Sequence, residues 1–455
     1  MLKSNSRLRQ ALGEARGDAL VSAVRAMGDL LPHLLVVAST QTAWHMPGAE
    51  WIDKRRTSVR VYLGPSSAAT GGGYCLAVDV ERLVPRTFKG SETPKIDMRE
   101  LALCSAYADA VAEVLDVETD TDHVYDAMLS RLDERAVALH LAEYHGLRFD
   151  VGTLLMDLHR LSEQTYENKS IAFGCLIDGK LPYKKDIDSI LFTAEFLQSK
   201  KYRALSDGYK TSYVLSRAGR LRGFGLLAHY NRHHETVAGA WFPSWGEDMA
   251  VASAVRSGVG LCLTRQGDLL VFDNGGLTFG YRNGRWQYWN HAHIVQMLTA
   301  MCRRQKVKPK SVRTLVEFVY GVALDISFRR TGGLLIVLRN RNLLRKCVRL
   351  GDAIDDARRG HLDADFDVVL AANSAGDRET VAELAGLDGA TVFDGTSRIM
   401  AYGAILKPVK SGRVRAEEGS RTKAAIGTSH YGLALKISSD GDMTAYYDGS
   451  EMFRI

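Results

Sequence analysis

No apolar run in this chain approaches the ~18 residues that cross a bilayer, and its 455 residues contain no Cys-x-x-Cys pair. The first absence argues against a membrane-spanning protein and a membrane partner; the second argues against zinc ribbons and dithiol redox centres. Six cysteines, Cys75, Cys104, Cys175, Cys262, Cys302 and Cys347, stand singly, mostly in apolar stretches, and are expected as buried free thiols. The Gly/Ser-rich segment from Gly64 to Gly73 lacks the Gly-Lys-Ser/Thr ending of a P-loop, so it reads as a strand connection. Charge of one sign is in slight excess only: a net +6 over this length gives little reason for the whole surface to bind polyanions. The opening Met1-Leu2-Lys3-Ser4-Asn5-Ser6-Arg7 has neither the apolar core nor the small-residue cleavage site of a secretory signal, so the expected location is cytoplasmic.

What is present fits a globular, multidomain chain. Hydrophobic residues make up 46% and charged residues 25%, and the length corresponds to more than one ordinary core. Apolar residues recur at helical spacing from about 7 to 36, with Pro32 as a break, and short strand patterns follow at Leu34–Ser39, Ser58–Leu63 and Tyr74–Val80. Helical texture returns from about 98 to 165. From 169 to 290, short β-branched and aromatic runs alternate with turn signals such as Asp207-Gly208, Asn274-Gly275-Gly276 and Asn283-Gly284, ending in an antiparallel meander over Gly260–Trp289. A helix then runs from His291 toward Arg304, and Lys306-Val307-Lys308-Pro309-Lys310 is the expected domain boundary. Beyond it helix and strand interleave as in an α/β sheet. The expected architecture is therefore an α/β multidomain chain: an α+β regulatory domain at 1–165, a strand-rich, sensor-like domain at 166–305, and an α/β domain with a mixed central sheet at 311–455.

Several constellations have a bland explanation that outweighs the chemical one. His229, His233, His234 and Glu235 lie in a polar loop without a metal-ligand spacing. His140, Glu143 and His145 are on a helix, but the spacing does not set both histidines on one face. Trp241, Trp245, Trp286 and Trp289 read as core or domain contacts rather than a base-stacking platform. Asp352, Asp355 and Asp356, followed by Arg358 and Arg359, read as a solvated helix face. Two basic runs, Arg303 to Arg313 and Arg339 to Arg349, leave nucleic-acid binding as a weak third option, behind solvated linker and helix faces.

The chemistry concentrates in the last third. Asp388-Gly389-Ala390 puts a carboxylate on a glycine-bearing turn before an apolar run. About thirty residues on, Gly419-Ser420-Arg421-Thr422-Lys423-Ala424-Ala425 supplies a small-residue turn with hydroxyls and two cations leading into a helix. Upstream, Ser327-Phe328-Arg329-Arg330-Thr331-Gly332 carries a helix into a strand. A carboxylate with a phosphate-type turn suits a metal and a phosphate.

These three segments, in this order over residues 311–455, resemble the diadenylate cyclase domain family, including the DNA-integrity-scanning cyclases. The resemblance implies that ATP is the substrate, that two ATP molecules are condensed into cyclic di-AMP with release of pyrophosphate, and that cyclase domains of a homodimer or higher homo-oligomer meet face to face. It further implies that Asp388 holds Mg²⁺ or Mn²⁺ and helps activate the 3′-hydroxyl. Gly389, Ala390, Thr331 and Gly332 would line the nucleotide site. Gly419, Ser420, Arg421, Thr422 and Lys423 would hold phosphate, with Arg421 and Lys423 neutralising its charge. Where the family motif runs Thr-Arg-His-Arg, this chain has Ser420-Arg421-Thr422-Lys423. Leu387 precedes the aspartate where some subfamilies have histidine, and His430 stands near a usual glutamate. Two readings therefore stand side by side: a nucleotide second-messenger synthase, and a module that binds a nucleotide or dinucleotide without turnover.

Overall fold

The computed structural model describes residues 14–66, 73–82, 94–117, 122–166, 168–177, 191–231, 241–254, 258–302, 309–352, 375–395, 398–408 and 419–455. The tip of the glycine loop, His233-His234-Glu235, the basic stretch Arg303 to Lys308, and Asp355, Asp356, Arg358 and Arg359 lie outside the described residues. No described helix is long and apolar enough to cross a membrane. All six cysteines are buried free thiols.

The described residues divide into two compact units. The first takes those from Glu14 to Trp289 except Trp241–Glu247; the second takes Trp241–Glu247 and Asn290–Ile455. The sequence reading separates 1–165 from 166–305, whereas here helices and strands from both segments share one continuous apolar core, from Ala19 and Leu20 through Leu155 to Phe279 and Tyr288.

In the first unit, α1 (Glu14–Leu30) leads to an antiparallel sheet of β1 (Leu34–His45), β2 (Gly48–Trp51), β3 (Ser58–Leu63) and β4 (Gly73–Arg82), in the order β1-β4-β3-β2. Helices α2 (Met98–Leu115), α3 (Asp122–Leu129), α4 (Leu132–His145) and α5 (Val151–Ser162) follow. The start of α2 is set by a reciprocal capping box, in which Asp97 accepts from Glu100 N–H and Glu100 accepts from Asp97 N–H. A seven-stranded sheet then forms from β5 (Phe173–Ile177), β6 (Thr211–Leu215), β7 (Leu221–Leu226), β8 (Val259–Leu263), β9 (Leu269–Asp273), β10 (Gly276–Arg282) and β11 (Arg285–Tyr288), in the order β11-β10-β9-β8-β5-β6-β7. Its last four strands are the antiparallel meander expected from the turn residues; Asn274 and Asn283 take the left-handed conformation those turns need, at φ 46° and 51°.

Two buried carboxylates of this unit are paired with cations or histidines. Glu100 accepts from Arg82 and from His33 Nε2, and Asp273 accepts from Arg99 and His145. Burial works against the Glu100 carboxylate, yet the His33 hydrogen bond and the Arg82 guanidinium hold its pKa down at about 2. Burial lowers the His33 pKa, against the hydrogen bond to Glu100, which raises it. The two histidines of α4 part company: His145 bonds Asp273, and His140 is buried beside Phe279 with its pKa lowered to about 3, chiefly by burial.

The second unit carries α6 (His291–Cys302), α7 (Pro309–Arg329), α8 (Ala375–Ala385) and α9 (Ser420–Ser429) with a six-stranded sheet: β12 (Gly333–Leu338), β13 (Ala390–Phe393), β14 (Ile399–Ala404), β15 (Gly432–Ile437), β16 (Met443–Tyr447) and β17 (Ser450–Arg454). Strand order is β14-β13-β12-β15-β16-β17, with β12 and β13 parallel and every other pair antiparallel, the mixed sheet expected. Side chains alternate across this sheet. Leu334, Ile336 and Ala434 meet Ala425 and Ile426 of α9 in one cluster, and α6 and α7 contact β12 or β15 outside that cluster. Pro309 opens α7, a position where its missing N–H costs nothing. Trp241 packs on Tyr320 and Trp245 on Phe328, both on α7, while Trp286 is buried in the first unit.

Candidate functional site

Two elements distant in sequence converge on one side of the six-stranded sheet. The turn before β13 presents Asp388 and Gly389, the start of α9 presents Gly419 to Thr422, and with Lys436 of β15 they line a cleft of about 620 Å³. Gly389 has φ +116°, and a Cβ there would lie 2.4 Å from the Gly403 carbonyl carbon. No other residue fits. The bend it permits sets Asp388 fully exposed at the cleft mouth.

The sequence reading takes Ser420-Arg421-Thr422-Lys423 as a turn leading into a helix. The structure corrects this: these four residues are the first turn of α9, with Gly419 as its N-cap at φ −61°, ψ 157° and no side-chain cap. Helix geometry leaves the first N–H groups without intrahelical carbonyl partners, and the aligned peptide dipoles add positive potential there. The end of α9 that lines the cleft is thus suited to an anion.

Arg421 Nη2 lies 3.9 Å from Asp388 Oδ1, a loose pair in a solvated setting that adds little stability. Its guanidinium lies close over Gly332, where an added Cβ would come within 2.6 Å of Arg421 Nη1. Gly332 has φ +71° and Arg330 φ 54°, left-handed residues that turn the chain sharply from α7 into β12. Thr331, exposed, and Gly332 therefore do not line the cleft; Gly332 bounds the space that Arg421 fills.

The expected residues are distributed unevenly. Asp388, Gly389, Gly419, Ser420, Arg421 and Thr422 line the cleft. Ala390 does not, because it is the first residue of β13 and is buried in the sheet. Nor does Lys423, which is exposed outside the lining. The second cation is Lys436. It alternates with Ala434 on the α9 side of the sheet, and its Nζ donates to Thr422 Oγ1 at 3.1 Å. Burial, then the Arg454 charge, lowers its pKa below the usual lysine value. Its signal in the sequence is a lysine inside the otherwise apolar strand Gly432-Leu433-Ala434-Leu435-Lys436-Ile437. His430 caps α9 at its far end, its ring against Gly449, with Nδ1 3.6 Å from Asp448.

Among the described residues no group of three or more His, Cys, Asp or Glu side chains forms a metal cage. One exposed carboxylate beside an uncapped helix start is compatible with Mg²⁺ or Mn²⁺, because Mg²⁺ is ordinarily held by one or two carboxylates, with waters and substrate phosphates completing its shell.

No protein-family model matches the chain, and no curated protein matches it. Among solved structures, a hypothetical membrane spanning protein from Bacillus cereus aligns at 21% identity over 36% of this chain and 75% of its own, with a TM-score of 0.23. A double mutant of DacA from Staphylococcus aureus aligns at 18% identity over 32% of this chain and 89% of its own, also at 0.23. At that fit neither bears on the chemistry of this chain.

Proposed function

We propose that the second unit is a nucleotidyltransferase of the diadenylate cyclase type, which condenses two ATP molecules into cyclic di-AMP and releases pyrophosphate. The observation that carries this reading is the convergence of Asp388, Gly389, Ser420, Arg421 and Lys436 on one cleft. A carboxylate, an anion-binding helix start and two cations are the parts needed to hold a triphosphate near a metal.

In the reaction, the 3′-hydroxyl oxygen of one ATP attacks the α-phosphorus of the other. The bond to pyrophosphate breaks, the hydroxyl proton passes to solvent, and the reciprocal attack closes the ring with release of a second pyrophosphate and a second proton. Asp388 would hold Mg²⁺ or Mn²⁺, which when bound offsets charge on the phosphate oxygens. The α9 N–H groups and Ser420 orient the phosphates; Arg421 and Lys436 neutralise the charge that accumulates as pyrophosphate departs. A single cleft holds one half of the reacting pair, so the active form is a homodimer or larger homo-oligomer with two clefts opposed.

Pyrophosphate release from ATP by the purified full chain with Mg²⁺ or Mn²⁺ tests this. Release that falls at least about a hundredfold in Arg421→Ala, as expected for a charge-assisted contact strengthened in the transition state, supports it. Nucleotide binding without any release would leave the cleft a binding module.

A further inference from the structure

The first unit holds a cavity of about 990 Å³ whose lining is strongly cationic. One wall is the short hairpin of Thr165–Tyr166 and Lys169–Ser170; the other is the helical turn Lys200–Arg203, with Ser206, Asp207 and Arg265 nearby. Lys169, Lys200, Lys201, Arg203 and Arg265 line it, and among the described residues none forms an ion pair with a carboxylate. Asp207, the only acid among the described lining residues, spends its Oδ1 on the N–H groups of Tyr209, Lys210 and Thr211. Ser206 is likewise used internally, on Gly174 and Thr211.

A local excess of cations around a cleft raises the local concentration of anions. Arg203 is oriented by its bond to Gln164 Oε1 at 3.1 Å. Tyr166 is 46% exposed and carries the Lys200 ammonium 4.9 Å from its ring centroid, so an aromatic surface stands beside the charge. Ile171 and Ala172 add apolar surface. We propose that this cavity binds a nucleotide bearing two or more phosphates, with Tyr166 against the base and the five cations around the phosphate chain. The volume suits one such ligand. A groove for single-stranded nucleic acid would stack successive bases on several aromatics, and Tyr166 is the only aromatic among the described lining residues.

Photolabelling of the full chain with 8-azido-ATP, followed by peptide mapping, tests the site separately from the cleft of the second unit. The expected result is a labelled peptide containing Tyr166, competed by unlabelled ATP and retained in Asp388→Asn. The paired substitution Lys200→Glu and Arg265→Glu, both at exposed positions where folding is little affected, should lower this label at least about tenfold while label in the second unit persists. Absence of label from the Tyr166 and Lys200 to Asp207 peptides would overturn the proposal, as would label insensitive to the paired substitution. Displacement by a single-stranded oligonucleotide at a lower phosphate concentration than ATP would also overturn it, in favour of a strand-binding groove.

Discussion

Lys436 Nζ donates to Thr422 Oγ1 at 3.1 Å, which joins the central strand β15 to the first turn of α9. The contact puts a half-buried ammonium beside the helix end where an anion would sit. Burial first, and the Arg454 charge second, disfavours its protonated form. A cation whose folded pKa is lowered costs stability while it is charged, and that cost fades as pH rises past the lowered value. Lys436→Met should therefore leave unfolding by urea unchanged or shift it to slightly higher concentration. Nucleotide affinity should fall by about tenfold to a hundredfold, the value of a charge-assisted hydrogen bond. Calorimetry in buffers of different ionisation enthalpy checks the same point: between the lowered pKa and the ordinary lysine value, binding of a phosphate should take up a proton, and Lys436→Met should abolish that uptake.

Gly389 answers to backbone geometry. With φ +116° and a Cβ 2.4 Å from the Gly403 carbonyl carbon, alanine cannot occupy the turn without moving β13 against β14. Backbone strain alone should cost about 1–3 kcal/mol. Gly389→Ala is expected to lower the unfolding midpoint and to remove activity, because Asp388 moves with the turn. A variant with wild-type stability and turnover would refute this role.

Gly332 should act differently. At φ +71° its replacement by alanine costs about 1–2 kcal/mol, and the atom in its way is the far end of Arg421, which can move aside. Gly332→Ala should fold, yet bind nucleotide more weakly, because Arg421 is displaced. In a double-mutant cycle with Arg421→Ala the losses should be strongly non-additive; additive losses would show that the glycine acts elsewhere.

These contacts mark where the sequence was legible and where it was not. The antiparallel meander was readable because Asn274-Gly275 and Asn283-Gly284 need left-handed turns. The α7–β12–β13 order was readable from apolar periodicity. Asp388 and Gly389 were legible through their order with the Ser327–Gly332 and Gly419–Ala425 segments, since an Asp-Gly turn alone is a common structural feature. Lys436 belongs to no motif, being an isolated lysine in a strand; only strand register brings it under Thr422. Ala390 and Lys423 belong to the motifs, although the pleat buries the first and the helix start leaves the second outside the cleft. The basic cavity of the first unit assembles residues from 166 to 265, and no local pattern announces it.

The buried acid of the first unit gives a pH test of stability. Glu100 has its pKa lowered to about 2 from an ordinary 4.5, against the cost of burial, by His33 and Arg82. A depressed carboxylate stabilises above its unfolded pKa, so this contribution is complete above about pH 4.5 and is lost as pH falls toward 2. Glu100→Gln leaves Arg82 buried without its counter-charge and should destabilise by about 3–5 kcal/mol at neutral pH. It should also flatten the acid limb of the stability profile measured by urea titration. An unchanged acid limb would contradict the pairing.

The central claim is tested most directly by a mass spectrum of the products formed when the purified chain is incubated with ATP and Mg²⁺ or Mn²⁺. The account predicts cyclic di-AMP from the wild-type chain and none from Asp388→Asn of equal stability. Cyclic di-AMP that persists in Asp388→Asn, or no phosphodiester product from ATP at all, would contradict it.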